Sequence, residues 1–185
     1  DAIEQAICSG YFEVLKWIHD NKILVLDKST ISLAIGYGHL EIAEYFEPIL
    51  NPEKEQLSID LCEVAAAGNL DIIMWVYKNK HYKIKRKTAW IKSAIVSGEL
   101  DIINWALENE IVPENDDSYL ETSIQCGRLL MYQLLSKHIK NTIEINRCMV
   151  LAFKSGNLGM LKYLVAENPE SVKVLKDEEI DANNH

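Results

Sequence analysis

Six glycines recur along the chain at a nearly constant interval, and this interval constrains the possible folds more than any other feature. The glycines are separated by 28, 30, 30, 29 and 29 residues, at Gly10, Gly38, Gly68, Gly98, Gly127 and Gly156. A fixed period between roughly 20 and 50 residues is typical of repeat proteins. Because glycine has no Cβ, it adopts positive φ readily, and each of the six is predicted to reverse the chain.

Apolar or small residues occupy the same positions around these glycines. The fourth residue after the glycine is aliphatic or methionine: Val14, Ile42, Ile72, Ile102, Met131 and Met160. The seventh is aromatic in all copies but one: Trp17, Tyr45, Trp75, Trp105, Leu134 and Tyr163. The fourth residue before the glycine is short: Ala6, Ala34, Val64, Ala94, Ser123 and Ala152. These spacings indicate an amphipathic helix on each side of the turn.

Each repeat is therefore predicted to be a pair of helices joined at the glycine, with the short residue allowing the two helices to approach closely. Neither helix can bury its apolar face alone, so successive pairs must pack on one another. The predicted fold is an all-α solenoid of about six helix–turn–helix units. A closed helical bundle in which the glycines coincide by chance is the alternative, and the number of repeated positions favours the solenoid.

The boundaries of the repeats follow from the glycine positions. The predicted repeats cover approximately residues 1–27, 28–57, 58–87, 88–116, 117–144 and 145–166. Pro48 and Pro52 are predicted to end the second repeat, because proline cannot continue a helix. Residues 167–185 are predicted to be an acidic cap or tail, with one more docked helix as an option at Val172, Val174 and Leu175. The chain begins inside a repeat and without methionine, so we expect a fragment of a longer protein.

Composition limits the class of protein. The net charge is −9, with 48% hydrophobic and 25% charged residues, which is typical of a globular domain. An acidic chain lacks the basic footprint of a nucleic-acid-binding protein, so nucleic acid is not expected as the main partner. No apolar run reaches the roughly 18 residues of a membrane span. The four cysteines show no CxxC spacing, which favours reduced thiols and an intracellular location.

The sequence contains no motif that would support catalysis. Phosphate-binding loops, nucleophile elbows and zinc-ligand spacings do not occur in it. Gly36-Tyr37-Gly38 resembles the start of a dinucleotide fingerprint, but the third glycine is missing and two helices flank it instead of a strand and a helix. We predict that the chain is not an enzyme and has no catalytic residue, cofactor or metal. A catalytic domain outside this chain remains the alternative.

Tryptophan occurs in two kinds of position. Trp17, Trp75 and Trp105 recur with the repeat period, so they are predicted to lie in the core. Trp90 lies outside this periodic position, and packing within or between repeats is favoured over contact with a partner.

One segment between repeats is strongly basic and the next is acidic. Six of the ten residues in Lys78–Lys87 are lysine or arginine, whereas the connector Glu108–Asp117 is acidic. The basic segment has three interpretations: a solvated loop, a contact for an acidic protein segment, or a site for acidic lipid or nucleic acid. The two connectors either neutralise each other or give a bipolar groove that orients a charged peptide.

The repeated positions resemble those of ankyrin repeats. The best match is Ala34, Gly38, His39, Leu40, Glu41 and Ile42, followed by Ala65, Gly68, Leu70, Asp71, Ile72 and Ile73. The resemblance covers roughly residues 1–166, and the short period with Trp17, Trp75 and Trp105 is similar to an ankyrin subgroup found in amoebae, their large viruses and intracellular bacteria. No repeat has the family's full threonine-proline-leucine-histidine start. Each repeat is three or four residues shorter than the usual period of about 33, so the β-hairpin fingers are expected to be short or absent.

The resemblance implies a binding function. Ankyrin repeats bind proteins through their connectors and the end of the first helix, on the concave face of the solenoid. We therefore expect a monomeric adaptor or scaffold module. The subgroup resemblance further implies a microbial effector that acts in host cytoplasm. The implied partner-binding residues are Tyr37, Lys85, Arg86, Thr88, Glu114, Asn115, Asp117, Gln125, Glu144 and Lys154. The rival expectation is an anion-binding module that uses residues 78–87.

Overall fold

The computed structural model describes residues 2–140 and 143–171, without the side chain of Ser171. These residues are mostly helical, which confirms the all-α class. The helices are α1 Ala2–Cys8, α2 Phe12–Asp20, α3 Ser29–Gly36, α4 Leu40–Leu50, α5 Cys62–Ala66, α6 Leu70–Lys78, α7 Ala89–Ser97, α8 Leu100–Glu108, α9 Ser118–Gln125, α10 Leu129–Leu135, α11 Ile145–Lys154 and α12 Leu158–Glu167. The strands are β1 Leu57–Ile59 and β2 Tyr82–Ile84, and a 3-10 turn covers Pro169–Ser171.

All six periodic glycines have positive φ, between 65° and 89°, and each joins the two helices of a pair. The turn predicted at each glycine is therefore confirmed. At Gly98, for example, the left-handed residue ends α7 and its N–H donates to the carbonyl of Ala94 at 2.8 Å. The two helices of a pair are thus joined by a single left-handed residue and one or two neighbours.

The chain divides into two compact units, residues 1–102 and 103–185. In the first unit, α1 packs on α2 and α3, α3 packs on α4 and α5, and α5 packs on α6 and α7. The short residues four before the glycine lie inside these contacts, and Ala34 and Ala94 have no exposed surface. In the second unit, α9 packs on α10 and α11, and α11 packs on α12.

The two strands lie in connectors between helix pairs. β1 and β2 belong to successive connectors and pair in parallel, with Leu57 opposite Tyr82 and Ile59 opposite Ile84. Hydrogen bonds continue this ladder beyond the strand ends, from Leu57 N–H to His81 O at 3.3 Å and from Lys85 N–H to Ile59 O at 2.7 Å. Among the described residues there is no β-hairpin, so successive connectors are held by each other instead of by folding back on themselves.

Two expectations about single residues are wrong and one is confirmed. Pro48 lies inside α4, which continues to Leu50. Trp17 is 60% exposed, although its periodic position predicted the core, because nothing in the described chain covers that side of α2. Trp90 is completely buried, which confirms its packing role, with the ring of Tyr77 edge-on at 6.0 Å.

Aspartates that precede the first helix of a pair anchor its first turn, and the sequence reading did not identify them. Asp27 accepts a hydrogen bond from Ser29 N–H at 2.8 Å, and Asp116 accepts one from Ser118 N–H at 3.1 Å. The bonds from the hydroxyl and N–H of Ser29 hold the pKa of Asp27 below its usual value. Its contribution to stability is therefore present above the unfolded pKa and is lost as the pH falls through the folded one. An aspartate two residues before a serine would have been the sequence signal.

The tail prediction falls mainly on residues 172–185, which lie outside the described residues, as do positions 141 and 142. No helix among the described residues is long and apolar enough to cross a membrane.

The cysteines give a labelling prediction. Cys148 is 1% exposed, and burial raises its pKa to about 11, whereas Cys126 is exposed. Only about one Cys148 thiol in a thousand is then ionised at about pH 8, and the thiolate is the reactive form. We expect iodoacetamide to alkylate Cys126 rapidly in the folded protein and Cys148 very slowly, as measured by mass spectrometry of quenched samples. Both should react alike in denaturant, and equal rates in the folded protein would contradict the prediction.

Candidate partner-binding surface

The residues just before the turn glycines form an exposed strip in the first unit. Tyr37 is 53% exposed and Val96 is 48% exposed, and Ala67 is also exposed. In the last turn of α3, by contrast, Ala34 and Ile35 are completely buried. The ends of α3, α5 and α7 therefore bury one side and leave an apolar or small-residue strip open to solvent.

The environment of Tyr37 includes acidic side chains. Its hydroxyl interacts with the thiol of Cys8, and this hydrogen bond, together with the nearby carboxylates of Glu4 and Glu63, raises the pKa of Tyr37. The three neighbours come from α1 and α5, the helices on either side of α3. The side chain of Tyr37 thus interacts with Cys8 of α1 and remains accessible.

A shallow pocket opens beside the first helices of the same unit. Its volume is about 340 Å³, and it lies between α1, α3 and the connector before α3. Ile3, Ile7, Val25 and Leu33 provide its apolar lining, and Glu4 contributes a carboxylate. Glu4, which lines this pocket, is also one of the carboxylates whose charge raises the pKa of Tyr37.

Two side chains of the basic segment, residues 78–87, form contacts with carboxylates elsewhere in the first unit. Arg86 forms an ion pair with Asp60, and His81 Nε2 lies 3.1 Å from Glu47 Oε1. Its five lysines are exposed, and none of them has a carboxylate within ion-pair distance among the described residues: Lys78, Lys80, Lys83, Lys85 and Lys87. The positive charge therefore comes from the lysines, while Arg86 and His81 fix the segment to its own unit.

Glu47 and His81 belong to a buried polar cluster that the sequence reading missed. Glu47 is 8% exposed, and the buried hydroxyl of Tyr82 has no hydrogen-bond partner among the described residues. Burial, with a smaller effect of Glu47, raises the pKa of Tyr82 well above its usual value. Nearby, the side chain of Asn51 is fully buried and bonds both the N–H and the carbonyl of Glu55 at 3.0 Å. These contacts fix the connector that leads into β1.

The predicted partner-binding residues are divided between the two units. Tyr37, Lys85, Arg86 and Thr88 lie in the first, and all four are exposed. The second unit contains Glu114, Asn115, Asp117, Gln125, Glu144 and Lys154, of which only Asp117 is partly buried. Glu114 forms an ion pair with Lys140 at 2.7 Å, which lowers the pKa of Glu114. Arg86 and Glu114 thus each have a partner within their own unit.

A second feature that the sequence reading missed is a contact made by the residue after each glycine. His39 Nε2 lies 2.9 Å from the carbonyl of Cys8, and Asn157 donates to the carbonyls of Ile124 and Gln125 at 3.1 and 2.9 Å. Each side chain reaches the end of the first helix of the preceding pair. A polar residue at this position in five copies is the signal that sequence could have supplied: His39, Asn69, Glu99, Arg128 and Asn157.

No cluster of three histidine, cysteine or acidic side chains suited to a metal occurs in the described part of the chain. No protein-family model matches the chain, and the comparison with curated proteins gives no match either.

Proposed function

We propose that the chain is an ankyrin-like solenoid that binds a protein partner on the exposed strip of its first helices. The observation that supports this most directly is the exposed side chain of Tyr37, whose pKa is raised in part by Glu4, a residue that also lines the pocket at α1 and α3. Exposed aromatic residues beside a depression are common anchors of protein interfaces. The apolar ends of α5 and α7 extend the surface beyond one side chain.

The same proposal includes an intracellular setting, as a module of a larger protein such as a microbial effector. All four cysteines of the chain are free thiols in the described structure, which is compatible with a reducing compartment. Binding through shape and charge, without chemistry, would suit an adaptor or scaffold.

Partner capture with two matched variants tests the binding surface. Tyr37→Ala removes the proposed anchor, whereas Met74→Ala removes another exposed apolar side chain, 43% exposed, from the second helix α6. An interface anchor typically contributes about 2 kcal/mol or more, which corresponds to roughly a thirtyfold weaker Kd. We expect this loss for Tyr37→Ala and an unchanged Kd for Met74→Ala, measured by calorimetry with the captured protein. Equal effects of the two substitutions would contradict the proposal.

A second candidate function is supported by the five exposed lysines of residues 78–87. These side chains could bind acidic lipid or nucleic acid, although the chain as a whole is acidic. The test is sedimentation with phosphatidylserine vesicles, and separately with single-stranded RNA, over a salt titration. If the segment binds anions, Lys83→Glu/Lys85→Glu should abolish binding and reduce the salt dependence. Lys137→Glu/Lys162→Glu makes the same change in net charge at exposed positions in the second unit and should bind like the parent.

A further inference from the structure

The first helix pair leaves uncovered a face that is buried in every other pair. The fourth residue after the glycine is at most 2% exposed in the five later pairs: Ile42, Ile72, Ile102, Met131 and Met160. In the first pair the same position is Val14, which is 48% exposed. The chemical type of the residue is unchanged, so the difference comes from what covers it.

Two other positions on the same side of the first pair are also more exposed than their counterparts in the later pairs. The eighth residue after the glycine is at most 2% exposed in Phe46, Val76, Ala106, Leu135 and Leu164, but Ile18 is only partly buried. Trp17 is 60% exposed, whereas the residues at its position in the later pairs are partly buried. We call Tyr11, Val14, Trp17 and Ile18 the N-terminal face.

Contacts between successive pairs show which side chains cover this face elsewhere. Phe12 and His19, two and nine residues after Gly10, lie edge-on to Tyr45 and Phe46, at centroid distances of 5.2 and 5.6 Å. Tyr45 and Phe46 are seven and eight residues after Gly38, the positions that Trp17 and Ile18 occupy in the first pair. In the second unit, Tyr132, five residues after Gly127, lies edge-on to Tyr163, seven residues after Gly156, at a centroid distance of 6.2 Å.

The residue after the glycine adds a polar component to each of these contacts. His39 and Asn157 reach carbonyls at the end of the preceding first helix. In the first pair this position is Tyr11, which is 57% exposed and also carries a hydroxyl that can donate. The N-terminal face therefore offers the same combination of an apolar ridge and one polar contact as the covered faces.

We propose that the N-terminal face binds a further helix–turn–helix unit of the same pattern as those of this chain. Such a unit supplies an apolar or aromatic side chain two residues after its glycine to cover Trp17, and the side chain nine residues after its glycine lies against Ile18. It also presents the carbonyls at the end of its first helix to Tyr11. The proposal does not depend on the partner-binding function, because it uses only the contacts between successive helix pairs.

The test fuses a copied helix–turn–helix unit, called the donor, to the N-terminus of the chain. Residues 28–58 of this protein, fused directly before Asp1, place the copied glycine 30 residues before Gly10, the interval found between Gly38 and Gly68. Residues 58–88 give a second donor with the same spacing. We expect hydroxyl-radical footprinting to show a severalfold slower oxidation of Trp17 in both fusions. Val14→Glu should restore the fast rate, whereas Met74→Glu, at an exposed position on α6, should not.

Unchanged oxidation of Trp17 in both fusions would overturn the proposal, whether or not the donor is helical by circular dichroism. A concentration-dependent dimer of the parent chain that Val14→Glu abolishes would also overturn it, because a second copy would then be the natural occupant. Sedimentation velocity over a range of concentrations measures this.

Discussion

Replacing Trp90 by alanine is expected to lower the free energy of unfolding by about 3–5 kcal/mol, the usual cost of deleting a buried aromatic side chain. Trp90 has no exposed surface and lies in α7 beneath the ring of Tyr77. Its removal leaves a cavity that the close-packed α5 and α7 cannot collapse to fill. Urea denaturation followed by circular dichroism at constant protein concentration gives the change directly.

Trp17→Ala is the matched control, because it deletes the same side chain from a position that is 60% exposed. We expect it to cost less than about 1 kcal/mol, as surface substitutions usually do. A loss below about 1 kcal/mol for Trp90→Ala, or equal losses for the two variants, would show that burial does not determine the contribution of these tryptophans. In the fusions that carry an added N-terminal unit, the cost of Trp17→Ala should rise.

The second large effect is expected from Gly127→Ala, at about 2–4 kcal/mol. A left-handed φ of 65° costs an alanine roughly 1–2 kcal/mol. A Cβ at this position would also lie 2.7 Å from Cγ of Asn157, whose amide bonds the carbonyls of Ile124 and Gln125. Displacing Asn157 loses these bonds, at about 1 kcal/mol each.

Gly156→Ala separates the cost of the left-handed backbone from the cost of displacing Asn157. Its φ of 68° is nearly the same, but a Cβ there meets no atom within 4 Å. We therefore expect only the backbone cost of roughly 1–2 kcal/mol, measured by the same urea titration. The double variant Gly127→Ala/Asn157→Ala should cost less than the sum of its single variants, because the clash and the lost bonds are shared. Equal costs for Gly127→Ala and Gly156→Ala would refute a role for the Asn157 contact.

The local geometry of the chain could be read from the sequence because it depends on neighbours within a few residues. Glycine at a fixed interval predicts the left-handed turns, and a short residue four positions earlier predicts the buried contact at Ala34 and Ala94. The helical spacing of apolar residues on both sides of each glycine was enough to predict an all-α chain. The exposure of Tyr37 was implied by its position before the turn glycine in the resemblance to ankyrin repeats.

Features that depend on residues far apart in the chain were not predictable in this way. The pairing of β1 with β2 joins two connectors, and the contact between Glu47 and His81 joins α4 to the residue before β2. Neither segment has a periodic pattern of its own. α4 passes through Pro48 and ends before the buried Asn51, whose N–H donates to the carbonyl of Glu47.

Trp17 and Trp90 show most clearly which properties the sequence determined and which the tertiary structure determined. The sequence determined that both are large apolar residues on amphipathic helices, together with the turns that orient those helices. Only the tertiary structure decided that Trp90 is buried and Trp17 exposed. A side chain's position on its helix is fixed by the local backbone, but its burial requires a neighbouring helix pair, and the described chain supplies one for α7 and none for the N-terminal face.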